Sequence, residues 1–162
     1  MTAAHLERPL VLVGHSTGGL DALLYARRYR SEVAALVLVD SPSEAAPPPP
    51  GGVLDDGGTR LELASGLRRL RSAGGLGGLP IVILSHGKRA FATESAERSW
   101  TKMQRELAAD SSDTLWVTAL RSGHLIQVDQ PALVAAAIEA ASRRGRLRCA
   151  PVFARAGGRC SA

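Results

Sequence analysis

The feature that most constrains this sequence is the segment G-H-S-T-G at residues 14–18, which lies between an apolar run and a helical pattern. Residues 9–13 read P-L-V-L-V, which is typical of a strand buried on both faces. After the turn, Leu20, Leu23 and Leu24 recur at helical spacing. A G-x-S-x-G pattern between a strand and a helix predicts a sharp turn that presents its serine at the carboxyl end of a sheet.

In such a turn Ser16 is a candidate nucleophile. Its strained backbone is expected to need small residues two positions away on each side, which are Gly14 and Gly18. The turn is expected to aim the Thr17 N–H, at a helix N-terminus, toward a developing oxyanion. We expect His15 to point away from the serine and to have a packing or substrate-side role. A phosphate-binding loop is the alternative, but it would require a lysine that this segment lacks.

The rest of the chain predicts an α/β protein that has a mostly parallel sheet with flanking helices. Further buried strands are expected at residues 33–39, 81–84 and 114–120. Helices are expected from Thr59, after an N-cap at Thr93 with Trp100 on the apolar face, and after an N-cap at Asp129 with Pro131 in the first turn. Strands that alternate with helices at this spacing imply parallel units with right-handed crossovers.

A nucleophilic serine needs a general base, and the chain has four histidines, of which two follow predicted strands. His124 follows the last strand, and His86 follows the strand before it. The carboxyl ends of parallel strands share one edge, so the His124 loop is expected to face the serine turn. We therefore predict His124 as the base, with His86 as the alternative.

Four segments resemble the α/β-hydrolase superfamily over residues 9–143. They read L-V-L-V-G-H-S-T-G-G, L-V-L-V-D-S-P, P-I-V-I-L-S-H-G and G-H-L-I-Q-V-D-Q-P, and they are similar to that family's fifth strand with its nucleophile elbow, its sixth and seventh strands, and its histidine loop. The resemblance implies a serine hydrolase of esterase type that cleaves an ester, thioester or amide bond of a small molecule through an acyl-enzyme on Ser16. It implies no cofactor and no metal.

The chain departs from the family pattern before the elbow. Family members carry several strands there, together with a His-Gly motif that supplies a second oxyanion donor, whereas eight residues precede Pro9 here. We therefore expect the C-terminal portion of the fold, from the nucleophile elbow onward, as a truncated α/β-hydrolase fold. An exposed sheet edge of this kind favours self-association. The alternative to an enzyme is a non-catalytic remnant or binding scaffold.

A second departure concerns the acid of the expected triad. The family usually places an aspartate after the seventh strand, where this chain has Lys88 and Arg89. Asp40 ends the preceding strand at the correct edge, and some superfamily members carry their acid there. We predict Asp40 as the acid that orients the histidine, with Glu44 and Glu94 as alternatives.

The distribution of charge and cysteine leads to expectations about domains and partners. Six of the twenty basic residues lie in the last stretch of the chain, so the net charge of +5 is mostly a property of the tail. We expect a core over residues 1–143, a short cap or linker at 43–79, and a basic, disordered tail at 144–162 with two free thiols. The absence of a basic-aromatic stripe, a transmembrane run and a signal peptide predicts a cytoplasmic protein with no nucleic-acid or membrane partner.

Overall fold

The computed structural model describes residues 7–48, 50–56, 59–143 and 145–161. The strands in chain order are β1 (Leu10–His15), β2 (Val33–Val39), β3 (Leu54–Asp56), β4 (Thr59–Leu61), β5 (Ile81–His86), β6 (Thr114–Ala119) and β7 (Gly158–Cys160). The main sheet has the order β1-β2-β5-β6-β7, and β3 and β4 form a separate antiparallel hairpin. The first four strands of the main sheet are parallel, and β7 runs antiparallel to β6. The predicted mostly parallel sheet is confirmed.

Helices cover both faces of this sheet. They are α1 (Gly18–Arg28), α2 (Leu63–Ser72), α3 (Glu94–Ala109), α4 (Ile126–Asp129), α5 (Pro131–Ser142) and α6 (Pro151–Arg155). In β2, Leu36 and Leu38 pack with α1, α2 and α3, while Val37 and Val39 pack with α4, α5 and α6 on the other face. A strand buried on both faces reads as the continuous apolar run seen in the sequence. None of the helices within the described ranges has the length and apolarity needed to cross a bilayer.

Strand register places the ends of neighbouring strands at one level. His15, the last residue of β1, lies beside Val39, the last residue of β2. Val39 in turn lies beside Leu84 of β5, and His86 at the end of β5 lies beside Ala119 at the end of β6. The loops that follow these four strands therefore emerge along the same edge of the sheet, as parallel topology requires.

The prediction of a disordered tail is wrong for residues 145–161. The largest fully buried side chain of the described residues is Phe153 in α6, and β7 extends the sheet beyond β6. Cys149 and Cys160 form a disulfide in place of the expected free thiols. A helix of five residues and a strand of three are too short to produce a periodic pattern in the sequence. Disulfides persist mainly in oxidising compartments, so this bond gives no support to the expected cytoplasmic location. That location stays a prediction.

The segment at 43–79 also differs locally from its predicted form. Thr59 begins the short strand β4 instead of a helix, and the helix α2 starts later, at Leu63. The helical spacing that motivated the prediction is real, because Leu67 and Leu70 are buried on the inner face of α2. The residues before α2 pair with β3 in a hairpin and so form a strand. A strand of three residues is too short to be recognised in the sequence.

Candidate active site

The turn at Ser16 has the strained geometry that the sequence predicts. Ser16 has a φ of 52°, in the left-handed region that a non-glycine residue rarely adopts. Its N–H donates to the carbonyl of Val39 at 3.0 Å, and its own carbonyl accepts from the N–H of Gly19 at 3.0 Å. These two bonds hold the turn between β1 and α1 in its strained conformation. The serine thereby lies at the carboxyl edge of the sheet.

Close backbone approach explains two of the glycines around this turn. A Cβ at Gly14 would lie 2.5 Å from the Cα of Gly19, and a Cβ at Gly19 would lie 2.1 Å from the Oγ of Ser41. At Gly18 a Cβ would meet nothing within 4 Å. The predicted need for a small residue therefore holds at Gly14. It does not hold at Gly18, which is exposed, and the second position without space for a side chain is Gly19.

Thr17 occupies the N-cap position of α1. Within the part of the chain that the structure describes, its backbone N–H donates to no other group. The N-terminus of a helix carries a partial positive charge, which favours an anion nearby. This N–H is therefore available to an oxyanion next to Ser16.

Asp40 follows β2 and is the most heavily hydrogen-bonded side chain at this edge. It is fully buried, and its φ of 42° also lies in the left-handed region. Its carboxylate accepts from Nδ1 of His124 at 2.7 Å, from Nδ1 of His86 at 2.9 Å and from Nε1 of Trp100 at 3.0 Å. The backbone N–H of His86 adds a further bond at 3.1 Å. The sequence predicts Asp40 at this edge of the sheet. In the structure, its carboxylate is hydrogen-bonded to His124.

Electrostatics keep Asp40 ionised. Burial raises the pKa of the Asp40 carboxyl, but hydrogen bonds from His124 and His86 outweigh burial and lower that pKa to about 2. A carboxylate only accepts hydrogen bonds, so Nδ1 of His124 must carry the proton that it shares with Asp40. In a neutral imidazole, this leaves Nε2 with its lone pair, which is the form that a general base requires.

The loop that carries His124 is held by neighbouring backbone and side-chain groups. His15 lies with its Nε2 3.0 Å from the carbonyl oxygen of His124, and the two ring centroids are 4.7 Å apart. The N–H groups of Gly87 and Lys88 donate to the carbonyl of Ser122, two residues earlier in the same loop. His15 therefore packs against the histidine loop, a role of the kind expected for it.

His86, the alternative base, occupies a different environment. Its Nδ1 lies 2.9 Å from the Asp40 carboxylate, and its Nε2 lies 2.8 Å from Oε2 of Glu97. Burial lowers the pKa of His86, but the hydrogen bond and the charge of Asp40, with those of Glu97, raise it above its ordinary value. Both ring nitrogens are engaged by carboxylates. This geometry leaves His86 no lone pair for a serine and favours His124 as the base.

The two alternative acids lie elsewhere. Glu44 forms an ion pair with Arg27 of α1, away from the histidine loop. Glu94 lies in the first turn of α3, where it is 83% exposed and pairs with Arg98 at 3.1 Å. Within the described residues, neither carboxylate contacts His124. Asp40 remains the predicted acid, now with a contact that supports it.

Sequence reasoning missed the contribution of α3 to this site. Trp100 was placed only on the apolar face of a helix, yet its indole N–H reaches Asp40, and its ring lies 5.8 Å from that of His124. Phe91 packs on Trp100 with ring centroids 4.8 Å apart. The sequence signal for this contribution was the spacing of Glu97 and Trp100, because residues three apart lie on the same face of a helix.

Comparison with known proteins agrees with this geometry. Residues 2–73 match a family model described as the alpha/beta hydrolase fold. The uncharacterized protein YqjL of Bacillus subtilis (strain 168) is 28% identical over 152 residues, and the match covers 85% of this chain but 58% of that protein. The chain thus spans less than two thirds of this relative.

A solved structure shows the same fold. The crystal structure of a probable hydrolytic enzyme from Pseudomonas aeruginosa PAO1 aligns with a TM-score of 0.54 at 14% identity, covering 84% of this chain and 64% of that one. At this identity the likeness concerns the fold alone. The order of the sheet, the turn at Ser16 and the family model matched over residues 2–73 all agree with an α/β-hydrolase fold.

Proposed function

We propose that this chain is a serine hydrolase of esterase type, with Ser16 as nucleophile, His124 as general base and Asp40 as the acid that orients it. The observation that carries the proposal is the 2.7 Å hydrogen bond between Nδ1 of His124 and the fully buried Asp40. Both residues emerge at the sheet edge where the strained turn presents Ser16. A buried, ionised carboxylate on one nitrogen of a histidine is the arrangement that prepares the other nitrogen to accept a proton.

The proposed reaction proceeds through an acyl-enzyme. Nε2 of His124 takes the proton from Oγ of Ser16 as Oγ attacks the carbonyl carbon of a small ester, thioester or amide. The tetrahedral oxyanion accepts a hydrogen bond from the N–H of Thr17, at the positive end of α1. The imidazolium gives its proton to the leaving group, which departs with the electron pair of the cleaved bond. A water molecule, deprotonated by the same nitrogen, then hydrolyses the acyl-serine.

Asp40 contributes electrostatically to this cycle. Its charge is opposite to that of the imidazolium that forms in both transition states, and burial keeps water from screening the attraction. The hydrogen bond also holds the tautomer in which Nε2 is the acceptor. The carboxylate therefore does not need to change its own protonation state during the reaction.

A binding scaffold without catalysis is the second candidate function. The observation that favours it is the exposed edge of the main sheet, where β1 pairs with β2 on one side and Val13 is 46% exposed. An edge strand with apolar exposure is a surface that other chains can pair with. In this candidate function, Ser16 would keep its strained turn but would carry no activated hydroxyl.

Labelling with a fluorophosphonate separates the two candidates. The probe forms a covalent adduct only with a serine that an adjacent base activates. We expect peptide mapping to find the adduct on Ser16, Ser16→Ala to abolish it, and Ser99→Ala, which changes an exposed serine of α3, to leave it intact. An adduct on another serine with Ser16 unmodified would refute the assignment. A chain that forms no adduct while a control esterase reacts would favour the scaffold.

A further inference from the structure

Among the described residues at this edge, His86 is a buried ionisable group that the proposed reaction does not use. Its side chain is 8% exposed, and each ring nitrogen lies within 2.9 Å of a carboxylate oxygen, from Asp40 on one side and Glu97 on the other. Carboxylates offer no proton, so a neutral ring would have to turn one lone pair against an anion. Two donated hydrogen bonds require a proton on both nitrogens. The geometry therefore describes His86 as an imidazolium.

The groups around the ring support this protonation state. Glu97 is held in place by the backbone N–H groups of Ala90 and Phe91, each 2.6 Å from its other oxygen. Burial raises the pKa of the Glu97 carboxyl, but these backbone bonds and His86 lower it overall, so it stays charged at neutral pH. Two ionised carboxylates therefore face one imidazole ring.

Cations of the neighbouring loop do not compete for these carboxylates. The Arg89 guanidinium donates to the carbonyls of Phe91 and Ala92, and Lys88 is exposed. His124 is a further ionisable group at the pair, and its Nδ1 and that of His86 both lie within hydrogen-bond distance of Oδ2 of Asp40. His15 lies against the backbone carbonyl of His124 and packs on its ring at a tilt.

We propose that His86 is a positioning residue, an imidazolium held between Asp40 and Glu97, which fixes the Asp40 carboxylate so that His124 keeps its proton on Nδ1 and leaves Nε2 free to act as the base. This inference rests on the proposed function of His124. Asp40 is shared by two imidazoles, and the ring and backbone N–H groups of His86 hold its carboxylate where it accepts from Nδ1 of His124. Without the ring of His86, the Asp40 carboxylate would lose one of these donors, and Glu97 would lose its charged partner.

Histidine-selective NMR of the whole chain tests this without requiring turnover. The chain has four histidines, so single substitutions assign their ring resonances. We expect both ring nitrogens of His86 to stay protonated at a pH where an ordinary histidine has lost one proton. In His86→Gln, the Asp40 carboxylate loses a donor that holds it, so the ring signals of His124 should shift from the tautomer with a proton on Nδ1 toward the tautomer with a proton on Nε2.

A second variant guards against misfolding of His86→Gln. Glu97→Gln removes one of the two carboxylates at a partly exposed position of α3, so the midpoint of the His86 titration should fall. The matched control is Glu94→Gln, which neutralises an exposed carboxylate on the same helix and should leave the His86 midpoint unchanged. Where ester turnover is measurable, kcat/KM of His86→Gln should fall together with the fraction of His124 that carries its proton on Nδ1.

Two results would overturn the proposal. One is a wild-type His86 that loses a proton at about pH 6.5, the value for an unperturbed histidine. The other is an unchanged tautomer of His124 in His86→Gln while the variant remains folded. Failure of the proposed function has a separate signature, because a missing phosphonate adduct on Ser16 would leave the ring signals of both histidines readable.

Discussion

Replacing Asp40 by asparagine removes one negative charge from the centre of the candidate site and leaves the shape of the side chain nearly unchanged. The carboxylate is fully buried and accepts hydrogen bonds from His124, His86 and Trp100. An asparagine offers one accepting oxygen and one donating NH₂ group in their place. Since Trp100 and the His86 backbone N–H both donate to Oδ1, the amide oxygen belongs on that side. The NH₂ group then faces Nδ1 of His124.

A donor in that position selects the wrong tautomer of His124. Nδ1 would become the acceptor, and the proton would move to Nε2, the nitrogen that must take the proton of Ser16. In serine triads whose acid is neutralised in this way, kcat falls by about 10⁴. That factor corresponds to about 5 kcal/mol in the activation free energy. We expect a loss of this size in the rate of Ser16 acylation.

Two readouts measure this loss in the same preparations. Intact-mass spectrometry follows the rate constant of phosphonate addition to Ser16, and p-nitrophenyl acetate reports turnover. Glu94→Gln serves as the control of equal charge change and should stay within about twofold of the wild type, because its side chain is solvent-exposed. Glu44→Gln tests the other alternative acid, and circular dichroism checks that each variant is folded. Near-normal acylation in Asp40→Asn, together with loss in Glu44→Gln or Glu94→Gln, would show that the acid is misassigned.

Three further predictions concern the turn, the tail and the sheet edge. Gly19→Ala should lower the free energy of unfolding by about 1–3 kcal/mol because its methyl group overlaps a neighbouring side chain, whereas Gly18→Ala meets open space. Equal melting temperatures of the two variants would contradict this reasoning. Replacing Cys149 and Cys160 by serine should cost about 3 kcal/mol, since their disulfide closes a short loop in the unfolded chain. Urea unfolding measures that cost, and a midpoint equal to that of the oxidised wild type would refute it. The chain should self-associate through its edge strand, and Val13→Lys should shift it toward the monomer, because an edge lysine opposes strand pairing. Size-exclusion chromatography tests this, and an unchanged elution volume for the variant would count against edge pairing.

Local patterns were sufficient for the central sheet. The run at residues 33–39 was predicted at the observed bounds of β2, because a strand buried on both faces needs apolar residues at every position. The N-cap at Thr93 was also readable, and its side chain accepts from the N–H of Ala96 at 3.1 Å. The short elements β4, α6 and β7 were missed, since three to five residues contain too few repeats to show a period.

The sequence by itself determined the α/β class, the turn at Ser16 and the placement of Asp40 and His124 at one edge, because each follows from a local pattern and the geometry of parallel strands. Only the tertiary structure decided how the charges are paired there. Asp40 meets His86 and His124 across 46 and 84 positions of the chain, and Trp100 reaches it across 60. Those hydrogen bonds depend on strand register and on the packing of α3 against the sheet, which no local pattern encodes. The sharing of one buried carboxylate by two imidazoles is therefore a property of the fold.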